Sequence, residues 1–129
     1  MPEHAHLVVF PRRPEYDMGD ILRAIKEPVG RQAVAFIKEH APRWLPRISR
    51  QRGEKRERLF WQSGGGHDRN IRKPKVLMAM IHYIHENPVR RGLVGRAADW
   101  RWSSAGWFEG EPTCDLIPDR VPPEWVPRG

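Results

Sequence analysis

HAHLVVF, residues 4–10, is the stretch on which the fold turns. Side chains alternate along a strand, so His4, His6, Val8 and Phe10 fall on one face and Ala5, Leu7 and Val9 on the other. Both faces are mostly apolar, which predicts an inner strand and brings a sheet into the fold. An inner strand is unusual for a chain's first residues, since termini fray unless tied down and an inner strand needs a neighbour on each side.

Downstream, PRRPEYD (11–17) reads as a turn whose prolines block continuation of the strand. From Met18 to His40 the apolar positions Ile21, Leu22, Ile25, Val29, Ala33, Phe36 and Ile37 recur at three- and four-residue spacing, predicting an amphipathic helix bent or interrupted at Pro28. Prolines 42 and 46 end it, and ISRQRGEKRERLFWQS (48–63) follows, with six Lys and Arg between Arg47 and Arg58. This basic run reads either as a solvated hairpin or loop, or as a nucleic-acid contact surface. Residues 58–63 and 68–72 are expected to be short strands around the Gly64-Gly65-Gly66 turn. Three glycines also resemble a phosphate cradle, but no Gly-Lys-Ser/Thr follows and no helix opens there, so a flexible turn is expected. Pro74 suits the first turn of a helix through KVLMAMIHYIHEN (75–87), running up to or through Asn87-Pro88 and ending at Gly92. After ADWRWSSAGWFEG (98–110), the last nineteen residues carry five prolines and are expected to be extended, packing through isolated anchors such as Trp125.

Composition narrows the partners. The 129-residue chain has 23 Lys and Arg against 16 Asp and Glu, a formal charge of +7 that favours polyanions, nucleic acid ahead of an anionic membrane. The single cysteine, Cys114, excludes an internal disulfide, fits a reducing compartment and reads as an inert thiol. No apolar run approaches the roughly 18–20 residues of a membrane span, and no leader is evident, so a cytoplasmic location without membrane contact is expected.

Val76, Met80, Tyr83 and Asn87 recur at steps of four, three and four and share one helical stripe, so Tyr83 is expected to point with the apolar face, inward. An amide on that stripe is harder to place in a core, because a buried amide needs partners. His4 and His6 point together to one side of the sheet. Two imidazoles on a strand face, beside an amide oxygen on a helix, could hold a divalent cation and leave positions open for substrate oxygens, an arrangement suited to phosphoryl transfer. By ligand preference the imidazoles suit zinc, copper or iron, whereas phosphoryl chemistry often uses magnesium or manganese. His67, His82 or His85 could instead join His4 and His6 in a zinc site. His82 and His85 lie largely off the Tyr83 stripe and are given no catalytic role. Arg90 and Arg91 at the helix end suit the helix dipole and phosphate binding alike. Arg69 and the basic 47–58 run could line a groove that tracks a nucleic-acid backbone. Trp100, Trp102 and Trp107 could stack bases, although core anchoring is the commoner role for tryptophan in a mixed-polarity loop.

PEHAHLVVF (2–10), FWQ (60–62), DRNI (68–71) and, above all, YIHENPVRRGLV (83–94) followed by DWRWSS (99–104) together resemble the REP-associated tyrosine transposases of the single-tyrosine HUH transposase superfamily. The resemblance covers residues 2 to about 108. It implies a ferredoxin-like antiparallel sheet with helices on one side, an α+β domain over 1–110 with a proline-rich tail over 111–129. It implies His4, His6 and Asn87 as ligands of magnesium or manganese, Tyr83 as nucleophile, and single-stranded or hairpin DNA as substrate, cut through a 5′-phosphotyrosine intermediate. Tyrosine titrates near pH 10 unperturbed, so the attacking phenol needs a nearby cation or base. In the family a strand and a helix precede the histidine strand, where this chain has three residues, so a partial, N-terminally truncated version is expected. Such loss would expose an edge strand, through which a homodimer could pair. The reading therefore leaves open an active transposase, a nucleic-acid-binding remnant without turnover, and a small zinc-bound structural protein.

Overall fold

The computed structural model describes residues 3–64, 66–111 and 115–126, so Cys114 lies outside the described residues. They fall into two compact units: Pro11–Asp68, and a second made of Met1–Phe10 with Arg69–Gly129.

The Pro11–Asp68 unit is led by helix α1 (Met18–His40). Asp17 caps it, its carboxylate accepting the Asp20 N–H at 3.0 Å, while Lys38 and His40 suit the negative end of its dipole. Pro28 does not interrupt the helix. Its ring nitrogen simply fails to donate to the Ala24 carbonyl one turn back. No residue of α1 is fully buried, and Val29 and Phe36, expected on its inner face, are exposed. A 3-10 stretch (Pro42–Ile48) with proline at its first turn leads into strand β1 (Ser49–Arg52), which pairs antiparallel with β2 (Lys55–Arg58) in the register Ser49↔Arg58 to Arg52↔Lys55. Gly53 adopts φ +59°, the backbone that a two-residue hairpin turn demands of its first central position.

The basic run is therefore a hairpin. It turns at Gly53, not at the glycine triplet, which corrects the strands expected at 58–63 and 68–72: only Arg58 belongs to one. Beyond a last rung, in which Leu59 N–H donates to the Ile48 carbonyl at 2.7 Å, the chain folds back onto α1. Trp61 Nε1–H donates to the Lys26 carbonyl at 2.8 Å, and a side chain on Gly30 would meet the indole at 3.3 Å, so glycine is what lets that ring close on the helix.

The other unit is organised by helix α2 (Pro74–Arg90). Proline at N1 opens it, as expected, and it runs through Pro88. It stops at Gly92, φ +68°, in a Schellman arrangement: Gly92 N–H donates to Val89 at 2.9 Å and Leu93 N–H to Pro88 at 2.9 Å. Its buried face carries Leu77, His85 and Pro88. Against it pack a 3-10 turn (Ala97–Asp99), with Ala97 buried, and a C-terminal 3-10 turn (Pro123–Trp125). The short helix α3 (Ala105–Phe108), with Ala105 and Gly106 buried, packs on the first of these turns. Small residues at these contacts let the backbones approach closely. His85 Nε2 and Ser104 Oγ share a hydrogen bond at 3.0 Å, and the His85 ring meets Phe108 edge-on at 5.1 Å. Burial, then the neighbouring His82, pushes the His85 imidazole below its usual value, so it sits in the core as a neutral, satisfied group. Trp102 is 68% exposed with the Arg101 guanidinium over its ring, which corrects its expected role as a core anchor.

Residues 4–10 form no strand. The alternation is present in the sequence, but a strand is a partnership, and among the described residues the sheet holds β1 and β2 alone. Leu7, Val8, Val9 and Phe10 are consequently exposed. The fold class is α+β in a partial form, helices with a two-stranded antiparallel ribbon. Among the described residues no helix is long and apolar enough to cross a membrane.

Candidate active site

Helical spacing places Tyr83, Asn87 and Arg90 along the C-terminal part of α2, with Arg91 as its cap residue, and residues 3–6 lie over them. Glu3 forms an ion pair with Arg91. Asn87 Nδ2 is 2.9 Å from His6 Nε2, which is in turn 3.1 Å from His4 Nε2. The two imidazoles meet nearly at right angles, centroids 4.8 Å apart. Although no ladder holds residues 4–6, the i, i+2 relation still turns both rings to one side. Glu3 also lies 3.5 Å from His4 Nδ1, so one carboxylate touches both the arginine at the helix end and the far nitrogen of an imidazole.

Tyr83 stands at the edge of this group. Its ring is 6.3 Å from that of His6 and nearly perpendicular to it, and the Arg90 guanidinium lies 4.9 Å from the Tyr83 centroid. The expectation that Tyr83 points inward is corrected: it is 43% exposed, and the buried stripe is the adjacent one through Leu77, His85 and Pro88. The helix carries apolar side chains around most of its circumference, and Leu77 lies about 100° from Val76, so spacing alone left two candidate faces.

Two of the three donor spacings, Asn87 to His6 and His6 to His4, match those of neighbouring ligands on a divalent cation. Two atoms bound at right angles about 2.1 Å from one ion lie about 3.0 Å apart, close to the spacings seen here. A half-turn of the Asn87 amide exchanges Nδ2 for Oδ1 at the same place, giving two imidazole nitrogens and a carbonyl-type oxygen. Desolvation, then the neighbouring His4, lowers the His6 pKa and so favours the neutral imidazole, the form that a metal ligand takes. The alternative set with a third histidine does not assemble: His85 faces Ser104, and among the described residues no three His, Cys, Asp or Glu side chains converge.

Of the candidate DNA-contacting arginines, Arg90 reaches the tyrosine, Arg91 is engaged by Glu3, and Arg69 is exposed with no ionic partner among the described residues. Sequence reasoning missed Glu3. An acid beside His4 and a cation at the end of a distant helix carry no local pattern that links them.

The chain is 28% identical over 128 residues to a Haemophilus influenzae protein that bears the name of a REP-associated tyrosine transposase, an alignment covering 92% of this chain and 61% of that relative. The chain thus spans less than two thirds of the length of the curated relative it matches. No family model matches the sequence, and no solved structure matches it.

Proposed function

We propose that this chain is a REP-associated tyrosine transposase that cuts and rejoins single-stranded or hairpin DNA in the cytoplasm, with Tyr83 as its nucleophile. The observation that carries the reading is the convergence of His4, His6 and Asn87 within 3.1 Å steps beside an exposed tyrosine. The similarity to a transposase by name supports it.

On this reading His4, His6 and Asn87 hold magnesium or manganese, which when bound offsets the charge that builds on the scissile phosphate. Glu3 steadies the segment that carries the two histidines. Arg90 keeps the phenol ring in place and puts a cation beside it. Tyr83 Oη forms a bond to phosphorus, its proton leaving to solvent. The bond from phosphorus to the 3′ oxygen breaks, and that oxygen takes up a proton to become a free 3′-hydroxyl. The 5′ phosphate stays on Tyr83 as a phosphodiester, whose conserved bond energy allows a second 3′-hydroxyl to reverse the step on another end. Incubation of the purified chain with labelled hairpin DNA and manganese should give a covalent adduct on a denaturing gel. The adduct should vanish with chelator, and one that forms equally well in chelator would overturn the metal-dependent mechanism.

Binding without turnover is the second reading. It is favoured by the absence of any ladder along residues 4–10, which leaves the ligand-bearing segment held by side chains. Silence in the adduct assay with salt-sensitive DNA binding retained would select it.

A further inference from the structure

In the Pro11–Asp68 unit a groove of about 780 Å³ runs between α1 and the segment that leaves β2. We propose that it holds single-stranded DNA, with one base on the Phe60–Trp61 corner and the flanking phosphates along the cations of α1. The choice of DNA as the polyanion rests on the transposase reading; the groove shares no lining residue with the tyrosine and histidine cluster.

The floor is aromatic and fixed. Trp61 is pinned through its N–H on Lys26 and by the close approach at Gly30, while Phe60 stands edge-on to it, centroids 5.3 Å apart at 79°, and is 42% exposed. Two rings at nearly a right angle offer a flat ligand one face for stacking and one wall to rest against. The walls are cationic: Arg23, Lys26, Arg31, Lys38 and Arg58 line the groove against a single carboxylate, Glu27, which Arg31 already engages at 2.9 Å. Arg23 and Lys38 are about 22 Å apart along the helix at 1.5 Å per residue, room for several nucleotides. Phosphates recognise such a row as point charges, and every base has a face that can stack, so the fit is to a strand of any sequence with unpaired bases. An acidic peptide would satisfy the cations but fills the corner only where an aromatic residue stands among its carboxylates, whereas every nucleotide carries a planar base beside its phosphate.

The test is a fluorescence-anisotropy titration of the full chain with a labelled oligodeoxythymidylate in chelator, where cleavage is silent and its failure cannot affect the result. Phe60→Ala should weaken binding about tenfold, within the range of one lost base stack. Replacing Lys26 and Lys38 with glutamine should lower the slope of log affinity against log salt by about 0.7 for each cation. In the unaltered chain, photocrosslinking of a 5-iododeoxyuridine oligonucleotide should label Phe60 or Trp61. Unchanged affinity in Phe60→Ala, crosslinks confined to other residues, or displacement of the oligonucleotide by polyglutamate at equal charge concentration would each overturn the proposal.

Discussion

Asn87 and His6 are separated by 81 positions in sequence, and their side-chain nitrogens lie 2.9 Å apart. That contact brings a segment without regular structure against a regular helix, and with His4 it creates a cluster of three donors that neither element has alone. Metal-dependent cleavage requires this cluster to hold an ion.

His6→Ala and Asn87→Ala should each weaken manganese binding by at least about tenfold, read by isothermal titration, since each removes one of three donors. Wild-type affinity in either variant would remove that residue from the ligand set.

Glu3 and Arg91 should act as a unit. Their pair is half exposed, so its worth is modest, about 0.2–1 kcal/mol. Glu3→Gln and Arg91→Gln should each weaken manganese binding up to about fivefold, and the double variant should be no worse than the weaker single one. Additive losses would mean that the two residues act independently.

His85 should make stability depend on pH. Its folded pKa lies below that of the unfolded chain, so between the two values the unfolded state binds more protons. The stabilisation is complete above the ordinary histidine value near 6.5 and is lost as pH falls from there through the folded value. Denaturant midpoints should therefore fall over that window, and His85→Gln should flatten the part of the profile that His85 contributes. An unaltered profile in the variant would place the titration elsewhere.

Gly92→Ala forces a side chain into φ +68° and should cost about 1 kcal/mol, seen as a lowered thermal midpoint. An unchanged midpoint would show that the helix end can close in another way.

The two long helices were legible in the sequence because their signals are local: three- and four-residue spacing for α1, and Pro74 and Gly92 as punctuation for α2. The β1–β2 hairpin was legible only as one alternative for the basic run, and the place of its strands was not legible at all. Its strands, SRQR and KRER, are polar on both faces, so no alternation marks them, and Gly53 is the only turn signal. Residues 4–10 show the converse, an alternation with no partner among the described residues to turn it into a strand. At the site, chemistry singled out His4, His6, Tyr83 and Asn87, and the structure brings them together. Which face of α2 is buried was not legible, since the helix is apolar on more than one side. The Glu3–Arg91 pair joins residues 88 apart and has no local trace at all.

The chain contains two tyrosines, and Tyr16, like Tyr83, is exposed. The measurement that bears most directly on the central claim is therefore to isolate the covalent DNA adduct, digest it and locate the nucleotide-bearing residue by mass spectrometry. The account predicts a 5′-phosphodiester on Tyr83 and no adduct from Tyr83→Phe. A modified Tyr16, or an adduct that survives Tyr83→Phe, would contradict it.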